Sequence, residues 1–228
     1  MTVHRFFVAA AEVSGDRFPL PPSIERQVRA VLRLREGERI VLLTGDGFEA
    51  ACRMVGGECI VEERLASVGE PRHLLTVVQA LLKGDALEEV VQRGTEVGVA
   101  AFRLVVTARC VARDVSPRRL ERLRAIARES AEQSERGVVP AVHAPVALLN
   151  GVEPGSVLLL ERHGSRLSEL EPPGEVIIGP EGGFTPGEVE AAVRLGARPA
   201  GLGARILRSQ TVAVAAAAVI LSRTGDFA

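Results

Sequence analysis

The first 70 residues show short apolar stretches separated by turn residues, a pattern typical of β-structure. It predicts strands at residues 6–8, 38–43, 48–54 and 59–64. The segment Thr44-Gly45-Asp46-Gly47 indicates a tight turn, so the second and third of these strands should form a hairpin. Between the first two strands, Ile24, Val28 and Val31 share one helix face. We therefore predict a small β-barrel with one helix over residues 1–70.

From residue 74 the pattern changes to alternating strands and helices. Residues 74–81 form a nearly continuous apolar run, as expected of a strand buried in a parallel sheet. Further strands are predicted at residues 102–107, 157–160, 176–178 and 199–202. Helices are predicted at residues 86–97, after Ser116-Pro117, after the capping box that begins at Thr185, and in the alanine-rich C-terminal stretch. This alternation predicts an α/β domain with a mainly parallel sheet over residues 71–228.

Composition is that of an ordinary globular protein of 228 residues, with 46% hydrophobic and 25% charged residues. No apolar run reaches the roughly 18 residues of a membrane span, and residues 1–7 do not resemble a signal peptide. The three cysteines and four histidines, His163 among them, show no ligand spacing. We therefore expect a cytoplasmic protein without a disulfide, a metal site or a membrane partner.

Charge is unevenly distributed along the chain. The formal net charge is −1, but residues 103–136 contain nine arginines against five acidic residues. Two interpretations stay open for this stretch. It is either a solvated helix face with internal ion pairs or a surface that contacts phosphates.

Two glycine-bearing loops follow predicted strands and are the best candidates for a ligand site. They are residues 178–184, Ile-Gly-Pro-Glu-Gly-Gly-Phe, and residues 202–208, Leu-Gly-Ala-Arg-Ile-Leu-Arg. In open α/β sheets, ligands bind beyond the carboxyl ends of strands, and glycines let the backbone approach them. Either loop alone could equally be a tight connection. Neither has the Walker A or GxGxxG pattern, so a P-loop or a dinucleotide site is not indicated.

Taken together, the two loops resemble the RsmE family of 16S ribosomal RNA uridine-N3 methyltransferases. Lys83-Gly84-Asp85, residues 94–99 and residues 130–136 are also similar to segments of that family. Two positions depart from it. Arg93 stands where the family usually has lysine, and Gln210 stands where it commonly has glutamate. The second departure puts in doubt any mechanism that needs a carboxylate at position 210.

The resemblance implies a PUA-like, RNA-binding β-barrel in residues 1–70 and a SPOUT α/β domain with a C-terminal trefoil knot in residues 71–228. It implies a homodimer that binds S-adenosyl-L-methionine and acts on 16S rRNA in the small ribosomal subunit or a late precursor. We expect the final helix to contribute Val212, Val219 and Ile220 to the dimer interface. The expected cofactor-binding residues are Leu160, Ile178, Gly179, Pro180, Glu181, Gly182, Gly183, Leu202, Gly203, Arg205, Ile206, Leu207 and Ser209. The expected RNA-binding residues are Arg5, Arg26, Arg29, Arg33, Arg109 and Arg136.

The chemistry of the substrate indicates which side chains catalyse. N3 of uridine carries a proton at neutral pH, so an enzyme must stabilise negative charge on the neighbouring oxygens and remove that proton. Arg208 and Arg205 are candidates for the first role and Glu181 for the second. Glu181 is alternatively a capping residue of its own loop. Because N3 lies on the Watson–Crick edge, the target base must be unpaired or flipped out.

Three other functions remain open on sequence grounds. The chain could be a non-catalytic RNA-binding protein, or a SPOUT enzyme that modifies transfer RNA or a ribosomal protein. It could also be an unrelated α/β enzyme such as a phosphate-ester hydrolase, although the missing metal-ligand spacing argues against that class.

Overall fold

The computed structural model describes residues 3–161 and 165–227; His163 and the first two residues lie outside the described part. The chain divides into two compact units. One contains residues 1–70 and 131–139, and the other contains residues 71–130 and 140–228. Within the described residues, no helix is both long and apolar enough to cross a membrane.

The first unit is built on a five-stranded sheet. Its strands are β1 (His4–Phe7), β2 (Arg17–Pro19), β3 (Arg39–Leu43), β4 (Phe48–Val55) and β5 (Glu58–Ala66). The order is β1-β3-β4-β5-β2, with β1 parallel to β3 and the remaining pairs antiparallel. Helix α1 (Pro22–Arg26) continues into a π-helical turn, Gln27–Val31. The hairpin of β3 and β4 is the one predicted from the turn sequence, whereas the short edge strand β2 gave no recognisable signal.

Both faces of β1 and β3 are buried, which explains why residues 131–139 belong to this unit. Phe6, Ile40 and Leu42 point into one apolar cluster, while Phe7, Val41 and Leu43 pack on the other side against Ala131 and Val139. Ala131 and Val139 thus shield the second face of the sheet from solvent. The sequence pattern assigned these residues to the second domain because they directly continue a helix, and periodicity does not reveal which core a helix end enters.

The second unit is an α/β structure with a seven-stranded sheet among the described residues. Its strands are β6 (Thr76–Ala80), β7 (Ala101–Val106), β8 (Ala141–Ala147), β9 (Val157–Leu159), β10 (Ser165–Arg166), β11 (Glu175–Ile178) and β12 (Arg198–Gly201). The order is β10-β12-β9-β11-β6-β7-β8, and each neighbouring pair is parallel. The carboxyl ends of β12, β9 and β11 are therefore adjacent at one edge of the sheet.

Four helices accompany this sheet in the described chain. They are α2 (Ala86–Glu96), α3 (Pro117–Gln133, whose last turn lies in the first unit), α4 (Pro186–Arg194) and α5 (Ser209–Arg223). Short 3₁₀ turns occupy Ala10–Glu12, Leu148–Gly151 and Leu167–Glu169. The predicted capping box is present, because the Thr185 hydroxyl accepts the Glu188 N–H while the Glu188 carboxylate accepts the Thr185 N–H.

The final helix is packed against α2, β6 and β11 through small side chains. Ala213, Ala216 and Ala217 are buried, and their size allows the helix axis to approach the neighbouring elements closely. Ile220 is only 1% exposed. The prediction that Ile220 lies at a subunit interface is therefore wrong, since its side chain fills the core of its own unit.

Candidate active site

A cavity of about 930 Å³ lies at the carboxyl ends of β9, β11 and β12. It is lined by both glycine-bearing loops. Twelve of the thirteen predicted cofactor-binding residues line it, and Gly203 does not. Lining residues outside that predicted set are Arg109, Leu159, Glu161, Phe184, Pro186, Val189, Glu190, Arg208 and Val212. The volume is within the usual range of small-molecule sites, roughly 300–1,000 Å³.

The first loop turns sharply at the end of β11. The N–H of Gly183 donates to the carbonyl of Pro180 at 2.9 Å, and Gly183 has a φ of +67°. A side chain is strained in that conformation, so the turn requires glycine. Gly179 has a different constraint, because a Cβ there would lie 3.1 Å from the ring of Phe184. The loop is thus compact and leaves its backbone at the cavity wall.

The second loop presents charge and apolar surface to the cavity. Arg205 and Arg208 are exposed, and neither side chain has an ion pair or hydrogen bond with another described residue. Ile206 lies between them in sequence and is 60% exposed although it is a large apolar residue. All three residues line the cavity, so this loop offers it two positive charges and one apolar side chain.

Ser209 connects the two loops. It is buried at the start of α5, its Oγ donates to the Gly179 carbonyl at 2.6 Å, and it accepts from Gln79 Nε2 at 3.0 Å. Gln79 is fully buried at the carboxyl end of β6. Gln79 was not among the predicted site residues, although a lone polar residue within a continuous apolar strand indicates a side chain with a specific partner.

Glu181 is held by a neighbouring loop rather than by its own. Its Oε1 accepts the backbone N–H of Lys83 at 3.0 Å, just beyond the end of β6. We had left open that Glu181 caps its own loop by accepting a backbone N–H. It does accept a backbone N–H, but from Lys83, so it connects the first loop to the segment after β6. Its Oε2 has no hydrogen bond with another described residue, so this oxygen is available to a ligand.

Arg109 lies beside the first loop. Its Nη1 donates to the carbonyl of Gly182 at 2.8 Å, and the preceding residue, Ala108, donates its N–H to Glu188 Oε1 at 2.6 Å. Arg109, which we expected to bind RNA, thus lines the same cavity as the two loops.

The remaining residues predicted to bind RNA lie in the first unit and differ in their surroundings. Arg26 and Arg33 are exposed without an ion pair among the described residues, and Arg29 pairs with Glu25 at 3.2 Å. Arg5 is largely buried between Glu49 and Glu135.

Arg136 is at odds with its predicted role. Its side chain is 2% exposed, and its Nη2 lies 2.9 Å from Glu70 Oε2. A buried guanidinium must be paired, because an uncompensated charge in the interior is strongly destabilising. The structure therefore contradicts the prediction that Arg136 contacts RNA. Its guanidinium instead forms a buried ion pair with Glu70, which connects residues 131–139 to the end of the first 70 residues.

Comparison with known proteins agrees with this architecture. A family model described as an RNA methyltransferase domain matches residues 70–221, and one described as an RNA methyltransferase PUA domain matches residues 29–62. Ribosomal RNA small subunit methyltransferase E of Synechocystis sp. is 32% identical, over 95% of this chain and 77% of that protein. The enzyme of the same name from Bacillus subtilis is 33% identical, over 85% of each chain.

Solved structures give the same result. Ribosomal RNA small subunit methyltransferase E from Neisseria gonorrhoeae, bound to S-adenosyl methionine, matches with a TM-score of 0.91 and 28% identity over 100% of both chains. A putative methyltransferase from Legionella pneumophila in complex with the same cofactor matches with a TM-score of 0.84 and 27% identity over 98% of both chains. These matches confirm the resemblance seen in the sequence, and the chain belongs to the ribosomal RNA small subunit methyltransferase E family.

Proposed function

We propose that this protein transfers a methyl group from S-adenosyl-L-methionine to N3 of a uridine in 16S ribosomal RNA. Its family membership supports the reaction class. The observation that carries the proposal is the cavity at the carboxyl edge of the parallel sheet, where two loops meet and where Arg205 and Arg208 have no partner among the described residues. Two free cations beside an apolar cavity suit a reaction in which negative charge develops on a base.

The residues of the cavity fit S-adenosyl-L-methionine. Leu160, Ile178, Leu202 and Ile206 offer apolar surface for a purine ring, and the loop backbones offer N–H and C=O groups for its polar edges. A Cβ on Gly183 would meet nothing within 4 Å, so space is open beside that backbone. When bound, this cofactor supplies a methyl group already activated by a sulfonium centre. No metal is needed to activate it.

Arg208 is the proposed electrostatic catalyst. It is the N-cap residue of α5, so a uracil oxygen near its guanidinium also feels the partial positive charge of the helix N-terminus. Arg205 lies on the same loop and acts as the second cation. A guanidinium keeps its charge at any pH of interest and holds its donors in a fixed plane, so it is preorganised to stabilise charge on an oxygen.

Glu181 is proposed to accept the N3 proton through Oε2. Its other oxygen is held by the Lys83 N–H, which fixes the carboxylate at the cavity wall. The family's glutamate is replaced here by Gln210, which cannot accept a proton at neutral pH. Glu181 is the one carboxylate in residues 178–184 and 202–208, so we assign the removal of the N3 proton to it.

The finer architecture is proposed on the same basis. We propose that the first unit closes as a PUA-like barrel and that the C-terminal segment is threaded as a trefoil knot. Family membership supports the knot, and the hydrogen bonds of Ser209 hold the start of the last helix against the first loop and the end of β6. Such knots are rare, and strand order by itself does not reveal them.

The functional assembly is proposed to be a cytoplasmic homodimer that binds RNA through the first unit. Partly exposed Val212 and Val219 on α5 remain candidates for the dimer interface. Arg26 and Arg33, with free guanidinium groups among the described residues, are the strongest candidates for phosphate contacts, and paired Arg5 and Arg29 are weaker ones.

A methylation assay tests the proposed function. The purified protein is incubated with methyl-labelled S-adenosyl-L-methionine and with small ribosomal subunits, free 16S rRNA or transfer RNA from a strain that lacks the modification. The account predicts N3-methyluridine in 16S rRNA, in the subunit or its free RNA. Methylation of transfer RNA would favour a different SPOUT enzyme, and RNA binding without cofactor binding would favour a non-catalytic RNA-binding protein.

A further inference from the structure

Glu188 links the start of α4 to the loop that follows β7. Its Oε2 accepts the N–H of Thr185 at 2.8 Å, and its own N–H donates to the Thr185 hydroxyl at 3.2 Å, which closes the capping box. The Thr185 hydroxyl also donates to Oε2 at 3.0 Å. Its Oε1 is directed elsewhere and accepts the N–H of Ala108 at 2.6 Å. A capping box needs only the first set of bonds. The bond to Ala108 is an additional contact between two distant segments of the chain.

The charge of Glu188 is well stabilised in this position. Burial raises the pKa of its carboxyl group, but the backbone N–H groups of Thr185 and Ala108, the Thr185 hydroxyl and the charge of Arg109 together hold that pKa below its usual range. The carboxylate is therefore ionised at neutral pH. Ionised acceptors form hydrogen bonds about twice as strong as neutral ones.

The loop anchored by Glu188 presents Arg109 to the cofactor loop. Arg109 follows Ala108 directly and donates to the carbonyl of Gly182 at 2.8 Å. Arg113 also stabilises this loop, because its guanidinium donates to the carbonyls of Thr107 and Ala108 at 2.9 and 3.0 Å. Fixing Ala108 on both sides leaves Arg109 little freedom to leave the first loop.

Contact between Arg109 and the first loop is close as well as polar. A Cβ on Gly182 would lie 3.3 Å from the Cβ of Arg109 and 3.6 Å from its Cδ, so the aliphatic part of the arginine side chain packs directly on the glycine. Gly182 and Arg109 both line the cavity. A shift of Arg109 would therefore change the wall against which the cofactor is proposed to bind.

We propose that Glu188 is a positioning residue for cofactor binding and that it acts through Arg109. Glu188 holds Ala108, Ala108 places Arg109, and Arg109 fixes the carbonyl of Gly182 so that the first loop keeps its binding conformation. This inference rests on the proposed function, because it assumes that S-adenosyl-L-methionine occupies the cavity. Glu188 itself does not line the cavity, so its effect on binding is indirect.

Calorimetric titration of S-adenosyl-L-methionine into the full-length protein tests the chain of contacts. Arg109→Ala should raise the dissociation constant about tenfold, the effect of losing one charge-assisted hydrogen bond. Glu188→Ala should also raise it, by more than the twofold change allowed for the control and by no more than Arg109→Ala does. The double variant should bind no more weakly than Arg109→Ala alone, because residues that act through one contact are not additive.

Thr185→Ala is the matched control. It removes the hydroxyl from the capping box but leaves the Ala108 N–H bonded to Glu188. It should lower the melting temperature, as Glu188→Ala does, while changing the dissociation constant by less than about twofold. Glu188→Gln, which retains one acceptor oxygen, should give an intermediate dissociation constant.

Four results would overturn the proposal: unchanged affinity in Arg109→Ala, unchanged affinity in folded Glu188→Ala, additive effects in the double variant, or equal loss of affinity in Thr185→Ala and Glu188→Ala. Failure of the proposed function is distinguishable from these, because the unmodified protein would then bind no S-adenosyl-L-methionine. Arg109 is exposed, so Arg109→Ala is expected to fold. If Glu188→Ala unfolds, Glu188→Gln tests the role of Glu188, and unchanged affinity in that variant would then overturn the proposal.

Discussion

Ser209 Oγ lies 2.6 Å from the carbonyl oxygen of Gly179 and donates a hydrogen bond to it. The bond joins the first residue of the last helix to the first glycine of the loop that follows β11. The same hydroxyl accepts from Gln79 at the end of β6. One buried side chain therefore connects three segments that meet at the candidate active site.

Replacing Ser209 by alanine should weaken both the fold and the site. The change leaves the amide of Gln79 and the carbonyl of Gly179 short of one partner each, and a buried polar group without its partner costs about 1–3 kcal/mol. Urea unfolding should show a loss of that order, and calorimetry should show weaker binding of S-adenosyl-L-methionine. Ser209→Thr is the control, because it retains the hydroxyl; equal losses in both variants would contradict a role for the hydrogen bonds.

Much of this arrangement was accessible from the sequence. The strand–loop–helix pattern, the capping box at Thr185 and the two glycine-bearing loops predicted where a ligand site should form, because parallel strands place their carboxyl ends at one edge. What the pattern could not give was the partner of each polar side chain. Gln79 and Ser209 are 130 residues apart, and no local periodicity links them.

Local charge did not predict the surroundings of two arginines. Arg109 and Arg136 both lie in the most basic stretch, for which the charge pattern left ion pairing and phosphate contact open, and both are among the residues expected to bind RNA. The structure places one beside Gly182 and buries the other against Glu70. Their different environments depend on tertiary contacts with residues distant in sequence, which composition does not encode.

Arg208→Ala should slow methyl transfer without weakening cofactor binding. Loss of one electrostatic contact to a developing charge typically costs on the order of 10²–10³ in rate. Single-turnover methylation should fall by about that factor while the dissociation constant of S-adenosyl-L-methionine changes little. Arg208→Lys should recover only part of the rate, since lysine lacks the planar fork.

A matched control for Arg208 is available on α4. Arg194 is also exposed but does not line the cavity, so Arg194→Ala should leave the rate within about twofold of the unmodified protein. A normal single-turnover rate in Arg208→Ala would remove this residue from the mechanism. Joint loss of affinity, stability and rate would instead indicate that it holds its loop in place.

Glu181→Gln separates a proton acceptor from a loop anchor. Glutamine can still accept the Lys83 N–H through its amide oxygen but cannot take up a proton at neutral pH. If Glu181 is the base, the single-turnover rate should fall by about 10²–10⁴ and the fold should be unaffected. A nearly normal rate in Glu181→Gln, together with weakened binding in Glu181→Ala, would make the residue an anchor only.

Acid should remove the stabilisation that Glu188 provides. Its pKa is lower in the folded protein than its usual value, so the folded state favours the ionised form. The contribution to stability is therefore present above the unfolded pKa and is lost as the pH falls through the folded pKa. The difference in free energy of unfolding between the unmodified protein and Glu188→Gln should be largest near neutral pH and should shrink in acid below about pH 4.5. A difference that does not change with pH would contradict this contribution.

The most direct test of the account is to identify the methylated atom. Small ribosomal subunits from a strain deleted for this protein are incubated with the purified enzyme and S-adenosyl-L-methionine, and nuclease fragments of the 16S rRNA are analysed by mass spectrometry. The account predicts one new methyl group, carried by N3 of a uridine, and its absence from subunits treated with Arg208→Ala for the same short time. A methyl group on another atom or another base would contradict it, and so would a protein that binds the cofactor but methylates neither the subunits nor free 16S rRNA.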